Sequence, residues 1–193
     1  MEISPANWNK RYADKQTGWD IGSISTPLKQ YFDQLTDTSL RLLIPGAGNS
    51  YEAEYLYSKG FQNVTVLDWS AEAINNFSKR VPGFSKDHVF VGDFFDHQGK
   101  YDIIIEQTFF CAINPTLRKA YAEKMSDLLD TNGRLVGVLF NTPLNVDKPP
   151  FGGDEKEYLT YFKPLFNIKV FEGCYNSINP RQGKELFINL QKK

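Results

Sequence analysis

The chain of 193 residues has only two cysteines and two histidines, and it has no long apolar run. Two cysteines are too few for a disulfide scaffold or a cysteine metal site, and neither histidine has a partner at a ligand spacing, so we predict no bound metal. No segment approaches the ~18 apolar residues of a membrane span, so we expect no membrane partner. Residues 1–9 contain no apolar run, so we expect no signal peptide and a cytoplasmic protein.

An excess of charge of either sign is also missing. The 22 Lys and Arg residues nearly balance the 23 Asp and Glu residues, and the basic residues are scattered. A nucleic-acid partner is therefore not expected. The length and the 41% content of hydrophobic residues are ordinary for one globular domain, which we expect to be a monomer. Aromatic residues are plentiful at 15%, which fits either a core or the wall of a ligand pocket.

Short apolar runs alternate with amphipathic stretches along the chain. This alternation predicts an α/β fold in which helices cover both faces of a mostly parallel sheet. We expect seven strands, at residues 40–45, 64–68, 89–91, 101–106, 134–140, 167–171 and 185–190. We expect helices at residues 50–59, 70–80, 114–129 and 154–162.

Capping residues mark the ends of three of these helices. Ser50 and Ser70 are the expected N-caps of the first two, because a serine hydroxyl accepts a hydrogen bond from a free N–H group of the first turn. Asn132 and Gly133 are expected to end the third helix, since both residues tolerate the left-handed backbone that follows a helix.

The beginning of the chain is expected to form an N-terminal helical cap of residues 1–35 on a single domain, whose α/β core spans residues 36–193. A parallel-sheet unit starts with a strand, and the first strand comes only after this segment. Trp8 and Trp19 lie in a polar part of the cap and need something to cover. We therefore expect a lid that becomes ordered over a bound ligand. A loop rich in proline and glycine, residues 149–153, is expected to be mobile.

In open α/β sheets a ligand binds beyond the carboxyl ends of the strands. The first strand is followed by the turn Gly46-Ala47-Gly48, where the glycine backbone lets a ligand approach and the next helix offers free N–H groups. A tight turn without any ligand is the alternative. Tyr51 stands where a dinucleotide fingerprint has its third glycine, which argues against a nicotinamide enzyme.

Two carboxylates follow the next strand ends. Asp68 ends the second strand at a spacing that suits a ribose, and its alternative role is a helix cap, which Ser70 already supplies. Asp93 follows the third strand, where it is placed to accept from an adenine amine while Phe94 covers the ring; an ordinary strand-end turn is the alternative. With the glycine turn, these residues form a set that matches adenosine.

Several longer runs resemble a known family. With the glycine turn and the two carboxylates, they make the chain resemble class I S-adenosylmethionine methyltransferases. More narrowly, it resembles the thiopurine S-methyltransferase superfamily, and within that the thiol, thiocyanate and halide methyltransferases. The runs are residues 8–12 (WNKRY), 18–22 (GWDIG), 44–48 (IPGAG), 109–115 (FFCAINP), 149–151 (PPF) and 177–185 (SINPRQGKE).

The resemblance implies a class I, Rossmann-like seven-stranded fold with S-adenosylmethionine as the cofactor. It implies that Glu106 lies near the methionine part of the cofactor and that Arg118 faces the acceptor; a surface carboxylate and an exposed helix charge are the alternatives. Gln107 departs from the aromatic residue of plant relatives, which affects acceptor identity more than reaction type. The cofactor-binding residues implied are Trp8, Tyr12, Trp19, Gly46, Ala47, Gly48, Asp68, Trp69, Asp93, Phe94 and Glu106.

The resemblance also implies methyl transfer to a small soft nucleophile, namely a thiol, hydrosulfide, thiocyanate or halide. Glu106 and Arg118 are the expected catalytic residues. No general base is evident in the sequence, and such nucleophiles need none or only a modest push from a cation. Cys111 stands among apolar residues and is expected to be inert. The alternatives are a methyltransferase for a thiopurine or another small molecule, and a non-catalytic protein that binds S-adenosylmethionine.

Overall fold

The computed structural model describes residues 3–193. Over this range strands alternate with helices, as the apolar pattern predicts. The strands are β1 (Leu42–Pro45), β2 (Val64–Asp68), β3 (Val89–Val91), β4 (Tyr101–Gln107), β5 (Leu129–Phe140), β6 (Phe166–Gly173) and β7 (Glu185–Lys192). The α-helices are α1 (Pro5–Ala13), α2 (Thr26–Phe32), α3 (Tyr51–Ser58), α4 (Ala71–Arg80), α5 (Arg118–Leu128) and α6 (Glu155–Phe162).

The seven strands form one sheet in the order β3-β2-β1-β4-β5-β7-β6. Strands β1 to β5 pair in parallel, whereas β7 is antiparallel to both of its neighbours, β5 and β6. The expected mostly parallel sheet of seven strands is therefore confirmed, with antiparallel pairing confined to β7. Because β1 to β5 run in the same direction, their carboxyl ends meet at one edge of the sheet.

Two hydrophobic clusters cover the two faces of the sheet. Successive strand residues point to opposite faces, so Leu42 and Leu43 of β1 belong to different clusters. The cluster of Leu43 contains buried residues of α5 and α6, and the cluster of Leu42 contains buried residues of α2, α3 and α4. Helices on both faces are thus confirmed.

Helix α2 corrects the expected boundary of the N-terminal cap. Its Leu28 and Phe32 are fully buried in the cluster under β1. Residues of α2 are therefore part of the core, although they precede the first strand, and the boundary expected at residue 35 is too late. Helix α1 contributes no residue to either cluster. Residues 1 and 2 of the expected cap lie outside the described residues.

Two of the expected capping interactions are wrong, and one is confirmed. The Ser70 hydroxyl accepts from Ala73 N at 3.1 Å and caps α4 as expected. Ser50 has a left-handed backbone (φ 57°), and its hydroxyl donates back to Gly48 O at 3.2 Å. Asn132 and Gly133 do not end α5, because the buried Leu129 already starts β5, and the left-handed Asn132 (φ 63°) lies inside that strand.

Two further properties concern the same described range of 3–193. No helix in it is both long and apolar enough to cross a membrane. No group of three or more His, Cys, Asp or Glu side chains in it is arranged to hold a metal ion.

Candidate active site

The carboxyl ends of the parallel strands open into one cavity of about 870 Å³. The side beyond β1, β2 and β3 is called the cofactor end here. The side beyond β4 and β5, lined by residues 111–115, Phe140 and residues 149–151, is called the acceptor end. The cavity brings together many of the residues expected to bind the cofactor, namely Trp8, Tyr12, Trp19, Gly46, Asp68, Trp69, Asp93 and Phe94.

The turn after β1 separates this cavity from a smaller pocket of about 60 Å³ that Ala47 and Gly48 line. Gly46 has a left-handed backbone (φ 59°), and an added Cβ would collide with the ring of Phe109. Only glycine fits there, because it lacks the Cβ that penalises this conformation. Gly46, Tyr12 and Arg181 line both spaces, so the cavity and the smaller pocket adjoin.

Asp68 ends β2 and serves the turn on both of its sides. Its Oδ2 accepts from Gly48 N at 2.8 Å, and its Oδ1 accepts from Ser70 N at 2.7 Å. The residue is only 9% exposed, and burial raises the pKa of the carboxyl above its ordinary value, against the opposing effect of these hydrogen bonds. Each carboxylate oxygen has two lone pairs, so Asp68 retains capacity to accept from a ligand in the cavity.

The residues after β3 line the same end of the cavity. Asp93 Oδ1 accepts from Phe95 N at 2.8 Å, so the strand-end turn considered as its alternative role is present. Phe94 is buried, and its ring meets the ring of Phe109 edge to face at 5.3 Å between centroids. One face of this aromatic cluster is thus core, while Asp93 and Phe94 still reach the cavity.

The N-terminal segment covers the cofactor end. Trp8, Arg11, Tyr12 and Trp19 all line the cavity. The Arg11 guanidinium carbon lies 4.4 Å from the centre of the Trp19 ring and 5.4 Å from that of Trp8. Asn9 Oδ1 accepts from Glu72 N at 2.8 Å, which docks α1 on the first turn of α4.

Glu106 lies elsewhere than expected. It is fully buried and is not among the residues that line the cavity. Its Oε1 accepts from Phe109 N at 2.8 Å and Phe110 N at 3.0 Å, and its Oε2 accepts from the Tyr121 hydroxyl. Burial raises the pKa of Glu106 to about 7. Its carboxylate holds the turn after β4, and the expected contact with the cofactor is not supported by this geometry.

Arg118 does not face the cavity either, contrary to expectation. Its side chain is 2% exposed, and Nη1 donates to Glu157 Oε1 at 2.7 Å. Nη2 donates to Gly152 O at 2.8 Å. The guanidinium carbon lies 4.9 Å from the centre of the Phe110 ring and 5.3 Å from that of Tyr158. These contacts use the charge inside the protein, because a buried guanidinium requires partners for its N–H groups.

The cation at the acceptor end is Arg181, from the turn before β7. It is 8% exposed and lines both the cavity and the smaller pocket. Its Nη2 donates to Trp19 O at 2.6 Å, and Nη1 lies 3.6 Å from Glu185 Oε1. The neighbouring Cys111 thiol donates to Thr108 O at 3.3 Å, and burial raises its pKa to about 12, so the thiol stays protonated as expected for an inert cysteine.

A family model described as thiopurine S-methyltransferase matches residues 3–191. The chain belongs to the thiopurine S-methyltransferase family. Curated relatives extend over most of its length. The chain is 28% identical to the probable thiol methyltransferase 2 of Arabidopsis thaliana over 190 residues, which cover 95% of this chain and 84% of the relative.

Two other relatives are similarly distant. Thiocyanate methyltransferase 1 of Arabidopsis thaliana is 29% identical over 193 residues, which cover 95% of this chain and 83% of the relative. Thiopurine S-methyltransferase of Pseudomonas putida (strain GB-1) is 28% identical over 183 residues, which cover 83% of each chain. The expectation of an S-adenosylmethionine-dependent S-methyltransferase is confirmed by this membership and these relatives.

Solved structures confirm the class I methyltransferase fold. The 1,6-didemethyltoxoflavin-N1-methyltransferase of Burkholderia thailandensis with bound S-adenosylhomocysteine matches with a TM-score of 0.79 at 14% identity, covering 98% of this chain and 87% of that one. The magnesium protoporphyrin IX methyltransferase of Synechocystis PCC 6803 with bound S-adenosylmethionine matches with a TM-score of 0.76 at 13% identity, covering 100% of this chain and 98% of that one. At such low identity the likeness concerns the fold alone.

Sequence reasoning missed two residues of this family member that line both the cavity and the smaller pocket. Arg181 stands inside the family-like run 177–185, which was the available signal, but the run alone does not show which of its residues reaches the cavity. Thr108 has a left-handed backbone (φ 57°), a conformation that a β-branched residue rarely adopts. No local sequence signal predicts that conformation.

Proposed function

We propose that this family member transfers the methyl group of S-adenosylmethionine to a thiol-type nucleophile that lies against Arg181. The observation that carries the proposal is the continuity of the cavity, which joins Asp68 at the cofactor end to Arg181 at the acceptor end. A cofactor and an acceptor in one cavity can meet without crossing water. The volume of about 870 Å³ lies in the upper part of the usual range for ligand sites, which has room for both.

Asp68, Asp93 and the Gly46 turn are proposed to hold the adenosine part of the cofactor. Asp68 accepts from the ribose hydroxyls with the lone pairs that its two backbone hydrogen bonds leave. Asp93 accepts from the adenine amine, and Trp69 and Phe94 supply apolar surface beside the ring. Ala47 and Gly48 line the adjoining pocket, which suits the methionine part.

The N-terminal segment is proposed to act as the lid of this site, with Trp8, Tyr12 and Trp19 against the cofactor. Its attachment supports the proposal, because α1 docks by polar contacts such as that of Asn9 and adds nothing to the core clusters. Hydrogen exchange with and without S-adenosylhomocysteine tests it. Protection is expected to rise across residues 8–22 on binding, and equal protection in both states would make the segment a fixed structural element.

S-adenosylmethionine supplies a methyl group on a positively charged sulfur, which becomes neutral when that group leaves. The protein then needs mainly to align the acceptor and to exclude water, and alignment alone can lower the barrier by ~7–11 kcal/mol. Arg181 favours the thiolate over the thiol, since a nearby cation lowers a thiol pKa from its ordinary ~8.5. Glu106 and Arg118 support this arrangement from outside the cavity.

The walls of the acceptor end favour an anionic sulfur on an apolar body. Ile113, Phe140 and Phe151 line it together with Arg181. Small anions such as hydrosulfide and thiocyanate satisfy the arginine, and an organic thiolate also buries apolar surface against these walls. The expectations of a monomer, of a cytoplasmic location and of no nucleic-acid partner stay predictions.

Turnover of labelled S-adenosylmethionine tests the proposal against five acceptors: hydrosulfide, thiocyanate, benzenethiol, a thiopurine and a catechol. We expect the sulfur acceptors to exceed the catechol, because a catechol hydroxyl needs a general base. A preference for the catechol would contradict the sulfur assignment. Tight binding of S-adenosylhomocysteine without turnover of any acceptor would instead identify a non-catalytic binding protein.

A further inference from the structure

Arg118 begins α5 and reaches α6 and the loop after β5, away from the cavity. Its side chain is 2% exposed and lies between the rings of Phe110 and Tyr158. The guanidinium donates to Glu157 Oε1 and to Gly152 O at 2.7 and 2.8 Å. The methyl transfer described above gives no role to this buried cation.

The carbonyl that Arg118 holds belongs to a loop tied at several points. Phe151 N donates to Cys111 O at 2.7 Å, and Asn145 N donates to Pro150 O at 3.3 Å. Gly152 packs so closely that an added Cβ would collide with backbone atoms of residues 142 and 144. The loop is therefore a thin layer without room for adjustment at residue 152.

The same loop forms one wall of the acceptor end. Pro149, Pro150 and Phe151 line the cavity, and Gly152 follows them directly. A displacement of Gly152 O by loss of its charged donor moves the backbone next to Phe151. Hydrogen bonds from charged groups are among the stronger ones in proteins, so this donor has a large share in fixing the loop.

We propose that Arg118 is a positioning residue that sets the acceptor wall through Gly152 and thereby selects the size of the acceptor. The proposal rests on the proposed function, in which the acceptor lies against residues 149–151. Glu157 is the partner that makes the position possible: it offsets the charge of the buried guanidinium and anchors it to α6. The Tyr161 hydroxyl donates to the same Glu157 oxygen at 3.2 Å and steadies it.

A direct attraction between Arg118 and an anionic acceptor predicts a different result. Attraction by charge would act on every anion alike, whatever its size. A displaced wall affects only an acceptor large enough to touch it. The comparison of benzenethiol with hydrosulfide, both methylated as anions, separates these two roles.

The experiment uses Arg118→Lys, which keeps the charge and loses the planar fork, and Glu157→Gln, which loses the ion pair at a partly exposed site. Lys119→Ala is the matched control, because it removes a charge from the next residue, whose side chain is 79% exposed. For each protein KM and kcat are measured with both acceptors, and the affinity for S-adenosylhomocysteine is measured by calorimetry. Hydrogen exchange of residues 142–153 is followed without any ligand.

We expect Arg118→Lys to raise KM for benzenethiol about tenfold, the usual effect of one lost charged hydrogen bond. KM for hydrosulfide and the affinity for S-adenosylhomocysteine should change by less than about twofold on the same scale. Exchange should accelerate in residues 142–153. Glu157→Gln should act in the same direction and less strongly, while Lys119→Ala should behave as the unsubstituted protein.

Equal increases of KM for both acceptors would overturn the proposal in favour of charge attraction. Unchanged exchange in residues 142–153 would also overturn it, as would faster exchange with an unchanged KM for benzenethiol. A chain that methylates no sulfur acceptor refutes the proposed function, and this result is distinct because it concerns the unsubstituted protein.

Discussion

Asp68→Asn removes one acceptor oxygen from the turn between β1 and α4 and nearly preserves its shape. Both carboxylate oxygens accept from backbone N–H groups, at 2.8 Å from Gly48 N and 2.7 Å from Ser70 N. An asparagine has one acceptor oxygen and an NH₂ group, so its NH₂ must face one of these donors. One charge-assisted hydrogen bond is lost, and a buried N–H group is left without its partner.

The structure gives the expected size of two separate effects. The lost backbone hydrogen bond should lower the free energy of unfolding by ~1.5–3 kcal/mol, the usual contribution of a hydrogen bond to a charged group. If Asp68 also accepts from the ribose, the affinity for S-adenosylhomocysteine should fall by a similar free energy, which is roughly ten- to hundredfold.

Urea denaturation measures the first effect of this substitution, and titration calorimetry at a temperature where the variant is folded measures the second. Asp37→Asn is the matched control, because Asp37 Oδ1 also accepts from a backbone group, Ser39 N at 2.9 Å, in an exposed turn that does not line the cavity. The control should change stability by less than about 0.5 kcal/mol and leave affinity unaltered. Lower stability with unaltered affinity in Asp68→Asn would refute the ribose contact and leave Asp68 as a turn residue only.

Three further substitutions test other parts of the site. Burial raises the pKa of Glu106 to about 7, so the folded chain keeps a proton there that the unfolded chain, with its ordinary pKa of 4.5, releases earlier. The free energy of unfolding should therefore fall as pH rises from 4.5 to 7, and Glu106→Gln should flatten this fall in urea denaturation; an unaltered slope would contradict the assignment. Arg181→Met should raise KM for thiolates at least about tenfold, and initial rates that match the unsubstituted protein would remove Arg181 from the acceptor end. Asn9→Ala should lower stability by ~1 kcal/mol, as the loss of a helix cap does, and speed hydrogen exchange in residues 8–22; unchanged exchange would show that Asn9 does not hold the lid.

Local pattern was sufficient for much of the fold. Strands β2 and β3 have the expected bounds, because a short apolar run between turn residues predicts a buried strand without reference to the rest of the chain. The glycine turn and the carboxylates Asp68 and Asp93 were also predictable, since parallel strands bring their carboxyl ends to one edge. The start of β5 and the place of α2 were not, because tertiary burial of Leu129 and Phe32 decided them.

The sequence by itself therefore determined the class of fold, the family and the cofactor end of the cavity. The tertiary structure decided which charged side chains reach that cavity. Side chains alternate between the faces of a strand, and the left-handed Thr108 redirects the chain after β4, so Glu106 holds the turn instead of lining the site. Arg118 and Arg181 exchanged their expected places for a related reason: Arg181 contacts Trp19, 162 residues away, and contacts over such separations depend on how the whole chain packs.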